Sequence, residues 1–369
     1  MHQRLSLTLT KTHLSNYLQG NRRTPLVNSG GVFQYGEPMK KTALLVDGDI
    51  IAYRAAAAAE KKSVNVIHKS GQSKVFKTRT EFKKFLKEKN MEYRLHEYTF
   101  EDQVEVDPIE YVLNTVKVML GKLDNITFAD FREVYISGKD NFRTNLLLPT
   151  KYKASRDDAV RPKHLEAAKE YLLDHQDAVR AVKIEADDIL NVRAYEEIGK
   201  GNVAIIASND KDTYQSEGVF MFDFTKENPV LFEIPTVGEI RKVKTQYKGE
   251  GLKFFAFQLL AGDNADDYCP YYLARERFGV SYGGASAMKD IADLDFQDEI
   301  LNKVIERYKQ WYPEPFDYTA WNGTEVKGAT WETMLDLYFR CAWMKRAWND
   351  PSDWRIEFTR RGVDLAKHL

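Results

Sequence analysis

Ala43-Leu44-Leu45-Val46-Asp47-Gly48-Asp49 is the stretch on which the fold turns. Four apolar residues run without interruption and stop on an aspartate and a glycine. A short unbroken apolar run bounded by polar residues fits a strand buried on both faces, as in a parallel sheet. Comparable runs, rich in Val and Ile, recur at 133–136, 180–184, 203–207 and 219–222. Helical patterns lie between them. Asp107-Pro108 opens one as N-cap and first-turn proline, and Ile109, Val112, Val116 and Met119 carry it at helical spacing. Others begin near Pro162 and Glu185. Strands alternating with helices predict an α/β fold: a central, mainly parallel sheet flanked by helices, with right-handed crossovers.

Three regions depart from this rhythm. Val64 to Ile67 and Lys74 to Phe76 flank Ser70-Gly71-Gln72-Ser73, which predicts a hairpin, with a short helix from Thr80, so 64–105 reads as an insertion. Beyond residue 235 the strand pattern fades and the chain looks helical. All six tryptophans fall after residue 310, which marks a distinct packing unit, core rather than stacking platform. Residues 1–38 hold Arg4, Lys11, Arg22 and Arg23 against one acid, Glu37, without periodicity. Such a start resembles an organellar transit peptide. The alternative is a disordered tail upstream of a native start at Met39, where Met39-Lys40-Lys41 leads straight into the first strand; that is the expectation adopted. The expected domains are thus the tail 1–38, an α/β core 39–235 and a helical region 236–369.

Lys plus Arg number 54 and Asp plus Glu 55, a net charge of -1 that taken whole argues against a nucleic-acid binder. Cys269 and Cys341 are the only cysteines, which excludes a disulfide scaffold or a cysteine zinc site and suits a reducing, intracellular compartment. No apolar run approaches the roughly 20 residues of a membrane span, so no membrane partner is expected.

The acids are placed informatively. Asp47 and Asp49 end the first strand; Glu185-Ala186-Asp187-Asp188 follows 180–184 and opens a helix; Asp210-Lys211-Asp212 follows 203–207; Gly262-Asp263 through Asp266-Asp267 follows the helical run Phe254 to Leu260. In an open parallel sheet the ligand crevice lies at the carboxyl ends of the strands, so these clusters should converge. Any one of them alone could be a helix cap, since acids satisfy free amides and the dipole there. Asp47, Glu185, Asp187, Asp188, Asp210, Asp212, Asp263 and Asp266 together cannot all stay ionised without cations. Hard divalent ions with oxygen ligands are the natural partners, and two of them roughly 4 Å apart stabilise attacking and leaving oxygens in phosphoryl displacement. Between Lys139 and Lys163 seven basic residues, among them Arg143, Arg161 and Lys163, stand against three acids. Cations at that density neutralise backbone phosphates.

With Tyr152-Lys153-Ala154-Ser155-Arg156, these residues resemble the 5′-nuclease superfamily, which is PIN-like and includes flap endonucleases and phage 5′→3′ exonucleases. Tyr152 to Arg156 looks like its YKxxR stretch, Glu185 to Asp188 its EADD, Asp210-Lys211-Asp212 with Tyr214-Gln215 its DKDxxQ, and Gly262-Asp263 with Asp266 its GDxxD. The resemblance implies two Mg²⁺, replaceable by Mn²⁺. One lies near Asp47, Glu185, Asp187 and Asp210; the other near Asp212, Asp263 and Asp266, with Asp188 assisting. It implies that Lys153 and Arg156 contact the scissile phosphate, with Asp47 and Asp210 counted beside them as catalytic, and that cleavage leaves a 5′-phosphate and a 3′-hydroxyl. It also implies a helical arch, placed at 139–178, and a helical DNA clamp. Tyr152, Arg143, Arg161, Lys163, Gly283 and Gly284 join Lys153 and Arg156 as nucleic-acid contacts. The partner would be DNA as duplex 5′ ends, flaps or RNA–DNA hybrid, handled by a monomer in the cytoplasm of an infected host cell during phage DNA replication, primer removal or recombination.

Three departures stand out. Ser137-Gly138 occupies the end of the second core strand, where the family often has another Asp. Asp267 replaces an Asn. The glycine-rich hairpin is degenerate at Gly279 to Ala287. Rival readings are a haloacid-dehalogenase-type phosphatase with Asp47 as nucleophile and Asp49 as general acid, a PIN-type ribonuclease, and a non-catalytic nucleic-acid binder.

Overall fold

The structure, a computed structural model, describes residues 40–156 and 159–368. The basic tail and Met39 lie outside the described residues. The chain forms two compact units. The first comprises the described residues up to Gly48, then Lys122–Ala159, then everything from Asp177; the second comprises Asp49–Gly121 and Val160–Gln176.

The first unit is built on β1 (Thr42–Asp47), all six residues of which are buried. In the second unit the chain forms β2 (Glu60–His68), β3 (Ser73–Phe76) and β4 (Tyr98–Val106). It then returns to the main sheet as β5 (Phe131–Ile136), β6 (Val179–Arg180), β7 (Val203–Ala207), β8 (Phe220–Phe222) and β9 (Leu231–Glu233). The main sheet has the order β6-β5-β1-β7-β8-β9, parallel except for β9. From β1 the chain reaches β5 on one side and β7 on the other, so the carboxyl ends of β1 and β7 flank a topological switch point. Gly48 is required there: a Cβ would lie 2.8 Å from the Tyr135 carbonyl oxygen. The run at 180–184 contributes only one residue to β6. Its chain leaves the ladder at Ala181, packed so closely that a Cβ on Gly138 would sit 2.3 Å from the Ala181 oxygen.

In the second unit, β2, β3 and β4 form an antiparallel sheet in the order β3-β2-β4, with Val64 opposite Phe76. The hairpin matches the expectation; β4 was not foreseen. Helix α1 (Gly48–Ala58) leads into this unit. Helix α2 (Arg79–Glu88) starts on Thr78, whose hydroxyl accepts from the Glu81 amide at 3.1 Å. Phe82 and Leu86 of α2 pack on Val64, Val66 and Phe76. Helices α3 (Ile109–Thr127) and α4 (Leu165–His175) follow.

The remaining helices of the first unit begin with α5 (Ala186–Gly199) and α6 (Gly251–Ala261). They continue as α7 (Tyr272–Phe278), α8 (Gly284–Ile291), α9 (Gln297–Trp311), α10 (Trp331–Ala342) and α11 (Trp354–Arg360). Beyond residue 235 the chain is mainly helical, but it also folds two hairpins, β10 (Ile240–Val243) with β11 (Gln246–Gly249) and β12 (Phe316–Thr319) with β13 (Glu325–Ala329). Strands of four or five residues are too short to show a period. Trp311, Trp343 and Trp354 are buried in the large cluster around α6, α9 and α10, as expected of core; Trp321 and Trp348 are exposed.

Candidate metal centre

Four local devices deliver the carboxylates. Asp47 is carried by the end of β1. Glu185, Asp187 and Asp188 sit at the start of α5, where the Asp188 carboxylate also caps the Glu185 amide at 3.4 Å. After β7 the Asp210 carboxylate accepts from the Asp212 amide at 3.0 Å and so folds a short turn that presents both acids. After α6, Gly262 adopts φ 77°, and a Cβ there would lie 2.4 Å from the Tyr268 oxygen. Asp263 and Tyr268 then exchange backbone hydrogen bonds of 2.9 and 3.1 Å, closing the loop that carries Asp266.

The acids form two groups. In the first, burial and then the charges of Asp210, Asp47 and Glu185 push the Asp187 carboxyl well above the usual range. Asp187 Oδ1 is buried without a hydrogen-bond partner among the described residues. Ser208 ties this group together: its hydroxyl donates to Asp47 Oδ2 at 3.1 Å and accepts from the Asp210 amide at 3.0 Å. In the second group, Asp212, Asp263 and Asp266 can each place an oxygen within 4.8 Å of the others. Burial, then Asp210, Asp266 and Asp263, raise the Asp212 carboxyl well above the usual range. Gln258 donates to Asp212 and Lys211 pairs with Asp263, while Asp263 Oδ2 is a second buried orphan. Orphaned buried carboxylate oxygens and oxygen-only donors fit a hard divalent cation.

Lys153 spans the two groups. Its backbone, at φ 55°, donates to the Asp266 carbonyl at 3.0 Å; its ammonium pairs with Glu185 and lies 3.7 Å from Asp266 Oδ1. Arg156 Nη2 donates to the same Asp266 oxygen at 3.0 Å from a half-exposed position. Burial pushes the Glu185 carboxyl up, but Arg143 and Lys153 outweigh it and hold it below its ordinary value. The turn that carries Lys153 and Arg156 is fastened by Asp267, whose Oδ2 accepts from the Ser155 amide at 2.8 Å and hydroxyl at 2.7 Å. The Asn-to-Asp departure therefore has a local task.

Several expected contacts fall elsewhere. Arg143 is fully buried and is not a surface for nucleic acid. Its guanidinium donates to both Asp188 oxygens at 2.6 and 3.0 Å, to Glu185 at 3.1 Å, and to the carbonyls of Cys341 and Trp343 at 3.1 and 2.7 Å. Asp188, also fully buried, gives both oxygens to Arg143. Tyr152 is buried too; its hydroxyl donates to Asp266 at 2.8 Å, so it braces a carboxylate rather than facing solvent. Gly283 caps α8, and Gly284 is needed because a Cβ would lie 2.6 Å from the Tyr247 ring. Arg161 and Lys163 are exposed on the second unit. Ser137 takes the place of the missing Asp by accepting from the Ala186 amide at 3.2 Å, and Asp140 is exposed. Asp49 is salt-bridged to Lys169 at 2.7 Å.

No protein-family model matches the chain, and no curated protein matches it. Solved structures do. The chain is similar in fold to a T5 protein crystallised with metal ions, at 16% identity and TM-score 0.42 over 82% of this chain and 88% of that one. It is similar to a variant of T5 5′-exonuclease at 14% identity and TM-score 0.40, over 82% and 86%. It is also similar to the bacteriophage T5 flap endonuclease in a complex with DNA and metal ions, at 14% identity and TM-score 0.38, over 72% and 88%. Overlap at this level leaves the chemistry to be read from the carboxylates.

The roles of Ser208, Gln258 and the C-terminal stitching were not apparent in the sequence. Gln215 Nε2 donates to the Ala342 carbonyl at 2.7 Å, Asn191 to the Lys345 carbonyl at 2.7 Å, and the Lys345 amide to Asp188 at 3.2 Å. The tryptophan-rich end thereby fastens to the helix that carries Glu185 and Asp187. Only Gln215, inside the DKDxxQ pattern, left a signal in the sequence.

Proposed function

We propose that this chain is a metal-dependent 5′-nuclease that hydrolyses DNA phosphodiester bonds to leave 5′-phosphate and 3′-hydroxyl ends, acting as a 5′→3′ exonuclease or on flaps. The observation that carries this reading is Lys153, a partly buried cation between two carboxylate groups that each keep an orphaned oxygen. Asp47, Glu185, Asp187 and Asp210 would hold one Mg²⁺, and Asp212, Asp263 and Asp266 another, with Mn²⁺ as a substitute. Divalent ions there would activate water and offset charge on the attacking and leaving oxygens. The chain's own residues supply the rest. Ser208 orients Asp47, Gln258 orients Asp212, and Tyr152 holds Asp266. Lys153 and Arg156 balance Glu185 and Asp266; with divalent cations carrying that charge, both would be free to face a phosphate whose negative charge grows during displacement.

The phosphatase alternative asks Asp49 to donate a proton, yet Asp49 is tied to Lys169, and it leaves the second carboxylate group without work. The test is a 5′-labelled duplex incubated with Mg²⁺, with and without chelator, beside p-nitrophenyl phosphate. Mononucleotides or short oligonucleotides released from the 5′ end are expected only with metal. Hydrolysis of the small ester without DNA cleavage would favour the phosphatase. Asp210→Ala is expected to abolish cleavage while leaving DNA binding intact; cleavage at the wild-type rate would contradict the metal assignment.

A further inference from the structure

The second unit contains a basic stretch that the carboxylate centre does not use. From Glu60 to Asn90 the sequence carries ten Lys or Arg residues against three Glu. Most are spread over an exposed surface: Lys83, Lys84, Lys87 and Lys89 are all exposed on or just after α2. A groove of about 520 Å³ opens beside β2, β4 and the start of α2, and Lys62, Lys77, Arg79, Arg161 and Lys163 line it. Its apolar surface includes Val104 and Val160, 53% and 90% exposed.

Charge in this groove is not balanced from within. Its two acids are already engaged: Glu60 accepts from the Lys163 amide at 2.7 Å and pairs with Lys62 at 3.5 Å, and Asp102 pairs with Arg79 at 2.9 Å. Among the described residues, the side chains of Lys77, Arg161 and Lys163 have no carboxylate partner. Like charges gathered from separate segments repel, and a polyanion relieves that repulsion by giving up its own counterions. Five cations around one groove, with further exposed lysines on α2, suit repeated phosphates better than a single small anion. Exposed valines between the cations suit sugar and base faces.

We propose that this groove binds single-stranded DNA along its phosphate backbone, as a nucleic-acid surface supplied by the β2–β3–β4 insertion. The choice of DNA rests on the nuclease reading above; the groove and its unbalanced charge do not.

The test is fluorescence anisotropy of a 5′-labelled 30-nucleotide single strand with the full chain in chelator, where cleavage is off, over a range of salt. The groove variant is Lys77→Ser, Arg161→Ser and Lys163→Ser together. The control removes the same charge elsewhere, with Lys303→Ser, Lys327→Ser and Lys367→Ser. All three proteins are checked for equal thermal midpoints. Losing three phosphate contacts should lower the salt slope by about 2 and the low-salt affinity by at least about tenfold, with the control close to wild type. Equal behaviour of groove and control variants overturns this inference and leaves the nuclease reading standing. A wild-type chain that cuts DNA with metal yet shows no binding to the single strand does the same. A wild-type chain that neither binds nor cuts DNA overturns both.

Discussion

Two basic stretches of this chain look alike in sequence and end in opposite environments. Between Lys139 and Lys163, Arg143 and Lys153 turn inward. Arg143 makes five hydrogen bonds from its side chain with none of its surface exposed, which exhausts the donors of a guanidinium. Along 60–90 and at Arg161 and Lys163, cations stay outside and several lack carboxylate partners among the described residues. Density of Lys and Arg measures charge, not availability. A cation saturated by carboxylates has nothing left for a phosphate, whereas an exposed unpaired one does. The net charge of -1 therefore conceals a buried acidic centre with its own counter-ions and a separate basic surface.

The largest effect should come from breaking the inward half. Arg143→Met leaves Asp188 buried and unpaired, and is expected to cost about 3–5 kcal/mol of stability. Lys77→Ser, on the outward half, should stay within about 0.5 kcal/mol. Urea denaturation of the two variants checks the contrast, and equal losses would erase it. Next in size is Lys153→Ala, which sharpens the inward half by asking whether its cation also serves the reaction. Turnover should fall about a hundredfold, with a much smaller change in DNA affinity. A weakened dissociation constant with a normal single-turnover rate would leave Lys153 only a binding role.

The same contrast explains what the sequence could show. β1 and β7 were legible because strands buried on both faces must be apolar throughout, and the acids that end them stand out against that run. Seven of the eight acids expected as ligands gather in two groups, Asp188 being the exception. Arg143 was illegible in role because two of its partners, the carbonyls of Cys341 and Trp343, lie 198 and 200 residues away and carry no side-chain signal; Asp188 was illegible because its role depends on Arg143. Ser208 is a small polar residue whose importance depends wholly on the geometry of Asp47 and Asp210. β12 and β13 did leave a mark, Asn322-Gly323 with φ 84° at the glycine, a hairpin signal that short strands and the surrounding helices obscured.

The smallest expected effect concerns pH and separates the two carboxylate groups from the cations beside them. Burial, then neighbouring acids, hold the Asp187 and Asp212 carboxyls well above the ordinary range. A carboxyl raised in the folded state binds its proton more tightly there than in the unfolded chain. Its stabilising contribution is full below the ordinary carboxylate pKa and is lost as pH rises through the raised value. Glu185 behaves oppositely: with burial outweighed by Arg143 and Lys153, its contribution is present above the ordinary value and is lost on acidification through its lowered one. Without metal, the thermal midpoint should therefore decline as pH is raised above the ordinary carboxylate range. Divalent cations need the deprotonated acids, so saturating Mg²⁺ should remove or reverse that decline, and binding should release protons measurable by calorimetry in buffers of different ionisation enthalpy. A metal-free midpoint that climbs steadily over the same window would mean that Arg143, Lys153 and Arg156 already neutralise the centre and that no metal is needed to hold its carboxylates together.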